Sequence, residues 1–252
     1  MKDIEFMLGS TQRQDGMPGS DVTVQLSKAP HILVAGMTGA GKSVLIHDLI
    51  CQFIRHRGPG EAQLLLIDPK RVEFGIYKGL PHLVLEPVYD DENVVWALDA
   101  AVAEMNNRFT LMERHGWRTA AETPWSRFLV VVDELANLML KGSRFERPLV
   151  DIASMGRAAG VHLLLATQRP DATVINGLIR ANVPTRIALP TITAADSRII
   201  LDQPGAERLS IPWRLIRLPG QRDLVFAGGR HWRNEDIEQA LSLWKKTGIW
   251  HG

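Results

Sequence analysis

"HILVAGMTGAGKSVLIHDLI", residues 31–50, runs from an apolar stretch through a glycine cluster into a second apolar stretch. Within it Gly36, Gly41, Lys42 and Ser43 fill the pattern G-x-x-x-x-G-K-[ST]. Glycines let the backbone curl until successive N–H groups point at one anion, and a helix that follows adds its positive N-terminus. Lys42 can then reach the β- and γ-phosphates of a nucleoside triphosphate, and the Ser43 hydroxyl can ligate Mg²⁺. The pattern sits between a predicted strand and a predicted helix, as a phosphate-binding loop requires. The nucleotide-binding set is therefore Gly36, Met37, Thr38, Gly39, Ala40, Gly41, Lys42, Ser43 and Val44, with ATP and Mg²⁺ as the expected ligands.

Outward from this loop, short apolar runs alternate with longer helical patterns. The runs at 31–35, 63–67, 128–132, 161–166 and 185–189 are nearly continuous in Val, Leu and Ile, which suits strands covered on both faces, as in a parallel sheet. Between them, 90–115 repeats apolar residues at three- and four-residue spacing, with Asp90 or Asp91 as N-cap and Gly116 as stop. A segment 146–159 ends at Gly160, Thr193 caps 194–202, and Asn234 caps a last helix. The sum predicts an α/β fold with a mostly parallel central sheet flanked by helices. The polar, glycine-rich stretch 9–21 reads as a loop within a lead-in of residues 1–28. A core domain follows over 29–210, and 211–252 completes it with a strand and a helix.

Two other strand ends carry chemistry. In "FLVVVDELANLML", Asp133 and Glu134 lie where α/β sheets bind ligands; Asp133 would hold the metal and Glu134 would polarise an attacking water. In "LLLATQRP", Gln168 at the end of the next strand either contacts the γ-phosphate or belongs to a surface turn begun by Pro170; spacing alone leaves both open.

Composition bounds the class. The chain has 252 residues, 45% hydrophobic and 23% charged, with net charge +1, which argues against a small, uniformly basic nucleic-acid binder. Its one cysteine, Cys51, reads as a core residue in a reducing, cytoplasmic compartment. No apolar run approaches the roughly 18 residues of a membrane span, so no membrane segment is expected. Trp213, Trp232, Trp244 and Trp250 crowd the end of the chain, and packing is the favoured reading over base stacking.

The stretches "PHILVAGMTGAGKS", "LLLIDPKRVEFGIYKGLPHL", "FLVVVDELANLM", "GRAAGVHLLLATQRPDATVINGLIRANVPTRIAL" and "ADSRIILDQPGAERL" together resemble the motor domain of the FtsK/SpoIIIE family of DNA translocases. The resemblance covers roughly residues 29–209 and implies a RecA-like fold, hexameric rings around double-stranded DNA, and ATP-driven movement of DNA through the pore. It also implies an arginine finger at Arg157, presented to a neighbouring subunit's ATP, and a γ-phosphate sensor at Gln168. Arg169 and Arg198 fall at its DNA-gripping pore positions, with Arg180 a further candidate beside Arg186; a structural role is the simpler reading of Arg180 and Arg186.

Three departures qualify it. Ala194 stands where the family usually carries a lysine in the second pore loop. After "GAERL" a glycine-rich stretch is replaced by "SIPWRLIRLPGQRDLVFAGG". The length leaves room for neither a membrane-spanning N-terminus nor a winged-helix DNA reader, so the expectation is a minimal motor, with directionality or membrane attachment left to a partner. Two alternatives remain: an ATPase of conjugation or protein secretion, whose cargo is a nucleoprotein or polypeptide, and a nucleotide-dependent assembly module that hydrolyses ATP poorly.

Overall fold

The computed structural model describes residues 3–13, 17–229 and 234–246. Its strands are β1 (Glu5–Gln12), β2 (Pro18–Gln25), β3 (His31–Ala35), β4 (Ala62–Ile67), β5 (Arg127–Val132), β6 (Val161–Thr167), β7 (Thr185–Ala188), β8 (Trp213–Arg217) and β9 (Val225–Gly228). The helices are α1 (Lys42–Ile54), α2 (Asp91–His115), α3 (Leu135–Met139), α4 (Ser143–Ala159), α5 (Gly177–Asn182), α6 (Ala194–Leu201) and α7 (Asn234–Lys246).

The nine strands among the described residues form one sheet in the order β2-β1-β9-β8-β7-β3-β6-β5-β4. The block β7-β3-β6-β5-β4 is parallel, and these are the five runs expected from the sequence. Their side chains alternate between two cores: Ile32, Val34, Leu64 and Leu66 face one, Leu33, Ala35, Leu65 and Ile67 the other. Burial on both faces is why the runs read as continuous rather than alternating. Helices α1 and α7 cover the first face, while α2, α4, α5 and α6 cover the second. Strand β3 lies between β6 and β7, the switch point at whose carboxyl end open α/β sheets bind ligands.

Helix ends follow local chemistry. The Asp90 carboxylate accepts from the Asn93 N–H at 3.1 Å, and Gly116 closes α2 at φ 72°. Gly160 closes α4, which begins at Ser143, ahead of the expected 146. Thr193 and Asp196 form a reciprocal capping box on α6. Asn234 is the first residue of α7; its side chain lies outside the described residues.

The loop expected at 9–21 is corrected. Residues 5–12 and 18–25 pair antiparallel, and Ser10 meets Gly228 of β9, so the hairpin extends the sheet. Its inward side chains, Ile4, Phe6, Leu8, Val22, Val24 and Leu26, are all buried. That period-two signal lies at 4–8 and 22–26, on either side of the misread stretch, within which Gly, Ser, Thr and Gln continue the strands without large apolar side chains. The single strand expected after residue 211 is in fact two, β8 and β9, which continue antiparallel from β7. Cys51 is buried, and burial pushes its thiol up to about 12. Trp213 stacks on Phe226 at 4.7 Å and Trp244 packs edge-on to His82 at 4.7 Å, both packing roles; Trp232 and Trp250 lie outside the described residues.

Candidate active site

The loop from Gly36 to Ser43 leaves the end of β3 and runs into α1. Gly39 and Gly41 have φ of 79° and 92°, and a Cβ on either would project into open space, so conformation and not crowding demands glycine there. Gly36 differs: its Cβ would come within 2.7 Å of the Leu189 Cβ. The Met37 N–H donates to the Pro190 carbonyl at 2.8 Å, so the segment after β7 braces the loop. The left-handed glycines and the start of a 13-residue helix give this loop the build of a phosphate cradle.

Parallel pairing sets the remaining groups beside it, because Ala35 is opposite Thr167 and Val132 opposite Leu165. Asp133 and Glu134 follow β5 directly, and both are nearly fully buried. Lys42 Nζ donates to the Asp133 main-chain oxygen at 2.7 Å and to its carboxylate at 2.6 Å. Burial pushes the Asp133 carboxyl up from its ordinary value, and Lys42 pulls the other way; Glu73 and Asp68 add to the rise. Glu134 is held on both oxygens. The Thr167 hydroxyl donates at 2.6 Å, the Gln168 N–H at 3.2 Å, and Lys70 Nζ at 2.9 Å.

Gln168, left open by the sequence, belongs to this cluster. Its amide oxygen accepts from Thr38 of the phosphate loop at 3.3 Å and from Lys70 at 3.4 Å. Sequence reasoning passed over the residues after β4. Asp68 accepts from the N–H groups of Lys70, Glu73 and Phe74, folding "DPKRVEF" into a tight turn. That turn delivers Lys70 to Glu134, and Glu73 to the Ser43 hydroxyl, which donates to it at 2.7 Å. The available signal was a lysine and two carboxylates at the carboxyl end of a buried strand.

The donor set around Ser43 and Asp133 is all oxygen, the chemistry of a hard cation such as Mg²⁺. Among the described residues no cluster of three or more His, Cys, Asp or Glu forms a metal cage.

Arg157 stands elsewhere. It is exposed near the end of α4, just before β6 begins, whereas the phosphate loop lies beyond the end of β6. The length of β6 separates them by about 20 Å at ~3.3 Å per residue. Arg157 lines an open cleft of about 790 Å³ with Phe109, Met155, Arg127 and His162. Arg169, after β6, and Arg198, on α6, are exposed on segments that follow two strands flanking β3. Arg180 lies 3.7 Å from an Asp202 oxygen; Asp202 also holds Arg186 at 2.6 Å and Arg217 at 3.6 Å. This arrangement gives Arg186 an internal role and Arg180 a partner within the chain.

The model of the FtsK/SpoIIIE family matches residues 7–125 and 119–172. The chain belongs to the FtsK/SpoIIIE family. It is 38% identical over 264 residues to the DNA translocase FtsK of Pseudomonas syringae pv. tomato, covering 91% of this chain and 33% of that protein. With the FtsK of Oceanobacillus iheyensis it shares 42% identity over 241 residues, 88% of this chain and 31% of the relative. The chain thus spans about a third of the length of these relatives. Among solved structures, the pCW3 conjugation coupling protein TcpA, in its monomer form with ATPγS, superposes with a TM-score of 0.81 at 26% identity, over 96% of this chain and 71% of that one. EssC (ATPases 2 and 3) of Geobacillus thermodenitrificans gives 0.83 at 18% identity, over 97% of this chain and 49% of that one, a likeness of fold alone. These likenesses place the chain among P-loop ATPase motor domains of RecA-like fold. No helix among the described residues is long and apolar enough to cross a membrane.

Proposed function

We propose that this chain is the motor core of an ATP-driven double-stranded DNA translocase working as a six-membered ring. The observation that carries the reading is that two hydrogen-bonded sets, Lys42 with Asp133 and Glu134 with Gln168, meet through the adjacent residues 133 and 134 beside a phosphate loop whose Thr38 donates to Gln168. Its support is a sequence 38–42% identical to DNA translocases. With nucleotide bound, Lys42 would exchange Asp133 for the phosphates, leaving Asp133 and Ser43 as the residues that would hold Mg²⁺, which would supply charge neutralisation to the phosphates. Glu134, oriented by Thr167 and the Gln168 N–H, takes a proton from the attacking water, and the Gln168 amide senses the terminal phosphate. Arg157 acts on the neighbouring subunit's nucleotide, while Arg169 and Arg198 grip DNA phosphates without reading sequence.

The test is steady-state ATPase activity with and without long linear duplex DNA, with Glu134→Gln as the blank. Stimulation by DNA that is lost in the blank and reduced in Arg169→Ala supports the reading; activity indifferent to duplex DNA refutes it. The second reading, a conjugation motor with a nucleoprotein cargo, is favoured by the likeness to TcpA. It predicts stimulation only by the cargo complex.

A further inference from the structure

We propose that Glu73 is a positioning residue of the metal site: it takes the Ser43 hydroxyl proton in a hydrogen bond and so turns that oxygen's lone pairs toward the cation. The proposal rests on the nucleotide-site reading and adds a residue to it. Ser43 Oγ and Glu73 Oε1 are 2.7 Å apart. A serine hydroxyl has one proton and two lone pairs, so the proton's direction decides whether a lone pair is free for a metal. Asp133 is paired with Lys42 at 2.6 Å without nucleotide and is given to the cation once nucleotide binds, so in neither state does it take this proton. Glu73 is therefore the acceptor that fixes the rotor, and it can keep accepting while Ser43 ligates.

Glu73 is itself held. The turn around Asp68 ties its main-chain N–H at 2.8 Å. Buried His47 lies with Nε2 3.4 Å from the second carboxylate oxygen, and its Nδ1 is 2.7 Å from the hydroxyl of fully buried Tyr77. Because a carboxylate only accepts, Nε2 carries the proton that faces Glu73, and Nδ1 is left to accept from Tyr77. The chain Tyr77–His47–Glu73–Ser43 thus runs from the core to the edge of the phosphate loop, with Glu73 accepting on one oxygen from His47 and on the other from Ser43. His47 is on α1, the helix that begins at Lys42, so the relay ties the metal-binding serine to its own helix and to the turn after β4.

Removing an outer partner of a metal ligand typically weakens metal binding about 10- to 100-fold. The experiment measures Mn²⁺ affinity by electron paramagnetic resonance on the full chain with a non-hydrolysable ATP analogue, and separately analogue affinity in chelator without metal. Glu73→Gln is expected to weaken Mn²⁺ by at least ~10-fold and to leave metal-free analogue affinity unchanged. Tyr77→Phe removes one hydroxyl at the far end and should give a smaller loss of the same kind, which covers the case in which Glu73→Gln folds poorly. Mn²⁺ affinity within twofold of the parent in both variants overturns the proposal. So does an equal loss of metal-free binding, which would mark Glu73 as a structural support of the loop. If the parent chain itself binds no Mn²⁺ with the analogue, the nucleotide-site reading falls too.

Discussion

At the scale of single residues, the site is a set of buried charges neutralised by one another. Lys42 and Asp133 are each about 3% exposed and paired at 2.6 Å. Such a pair contributes little net stability, but removing one member leaves the other buried and unpaired, which costs about 3–5 kcal/mol. Lys42→Ala should therefore lose hydrolysis and also unfold at clearly lower urea. Glu134→Gln keeps an oxygen for the Thr167 and Gln168 donors, and Lys70, 38% exposed, can turn to water. Its stability should change by about 1 kcal/mol or less, with hydrolysis lost and ATP still bound. Urea unfolding and filter-binding of ATP on both variants check this; equal instability of the two would contradict the pairing argument.

At the scale of elements, the sheet carries an acid-sensitive seam. His31 opens β3 and His162 is the second residue of β6, with ring centroids 6.3 Å apart and both buried. The Leu163 N–H donates to His31 Nδ1 at 3.1 Å, which requires that nitrogen unprotonated. Burial lowers the His31 pKa to about 3, and burial with the neighbouring imidazole holds His162 well below its ordinary value. The fold keeps both neutral while the unfolded chain protonates them near 6.5, so the unfolded state binds more protons and stability falls as pH falls below about 6.5. The limiting slope is about 1.4 kcal/mol per pH unit for each histidine. Urea midpoints measured from pH 7.5 to 5 should drop, and His162→Gln should flatten the curve; a flat parent curve would disprove the seam.

For the whole molecule, the decisive relation is that Arg157 and the phosphate loop stand at opposite ends of the central strands, one before β6 begins and the other beyond the end of β3. An arginine side chain cannot cross the ~20 Å between them, so a finger role requires a second copy. Mixing gives a direct readout. A Lys42→Ala subunit has a dead site but an intact Arg157, and an Arg157→Ala subunit has the reverse. Each alone should lack ATPase activity, and the mixture should recover a substantial fraction. Absence of recovery, with both variants folded and associated, would place Arg157 outside the reaction.

Much of this was legible along the chain, because the deciding constraints are local. A phosphate loop needs glycines at fixed offsets, a strand buried on both faces must be apolar throughout, and a helix end must be capped within a turn; Gly41, residues 128–132 and Thr193 each satisfy one such demand. The sequence by itself therefore determined the parallel core, the placing of Lys42, Ser43, Asp133 and Glu134, and the family. Tertiary structure alone decided that the amino-terminal hairpin joins the sheet through β9, that Lys70 and Glu73 enter the site, and that Arg157 is turned away from it. Those are contacts between segments far apart in the chain, or directions fixed by which strand lies beside which. No residue's own chemistry encodes them; the order of strands in the sheet does.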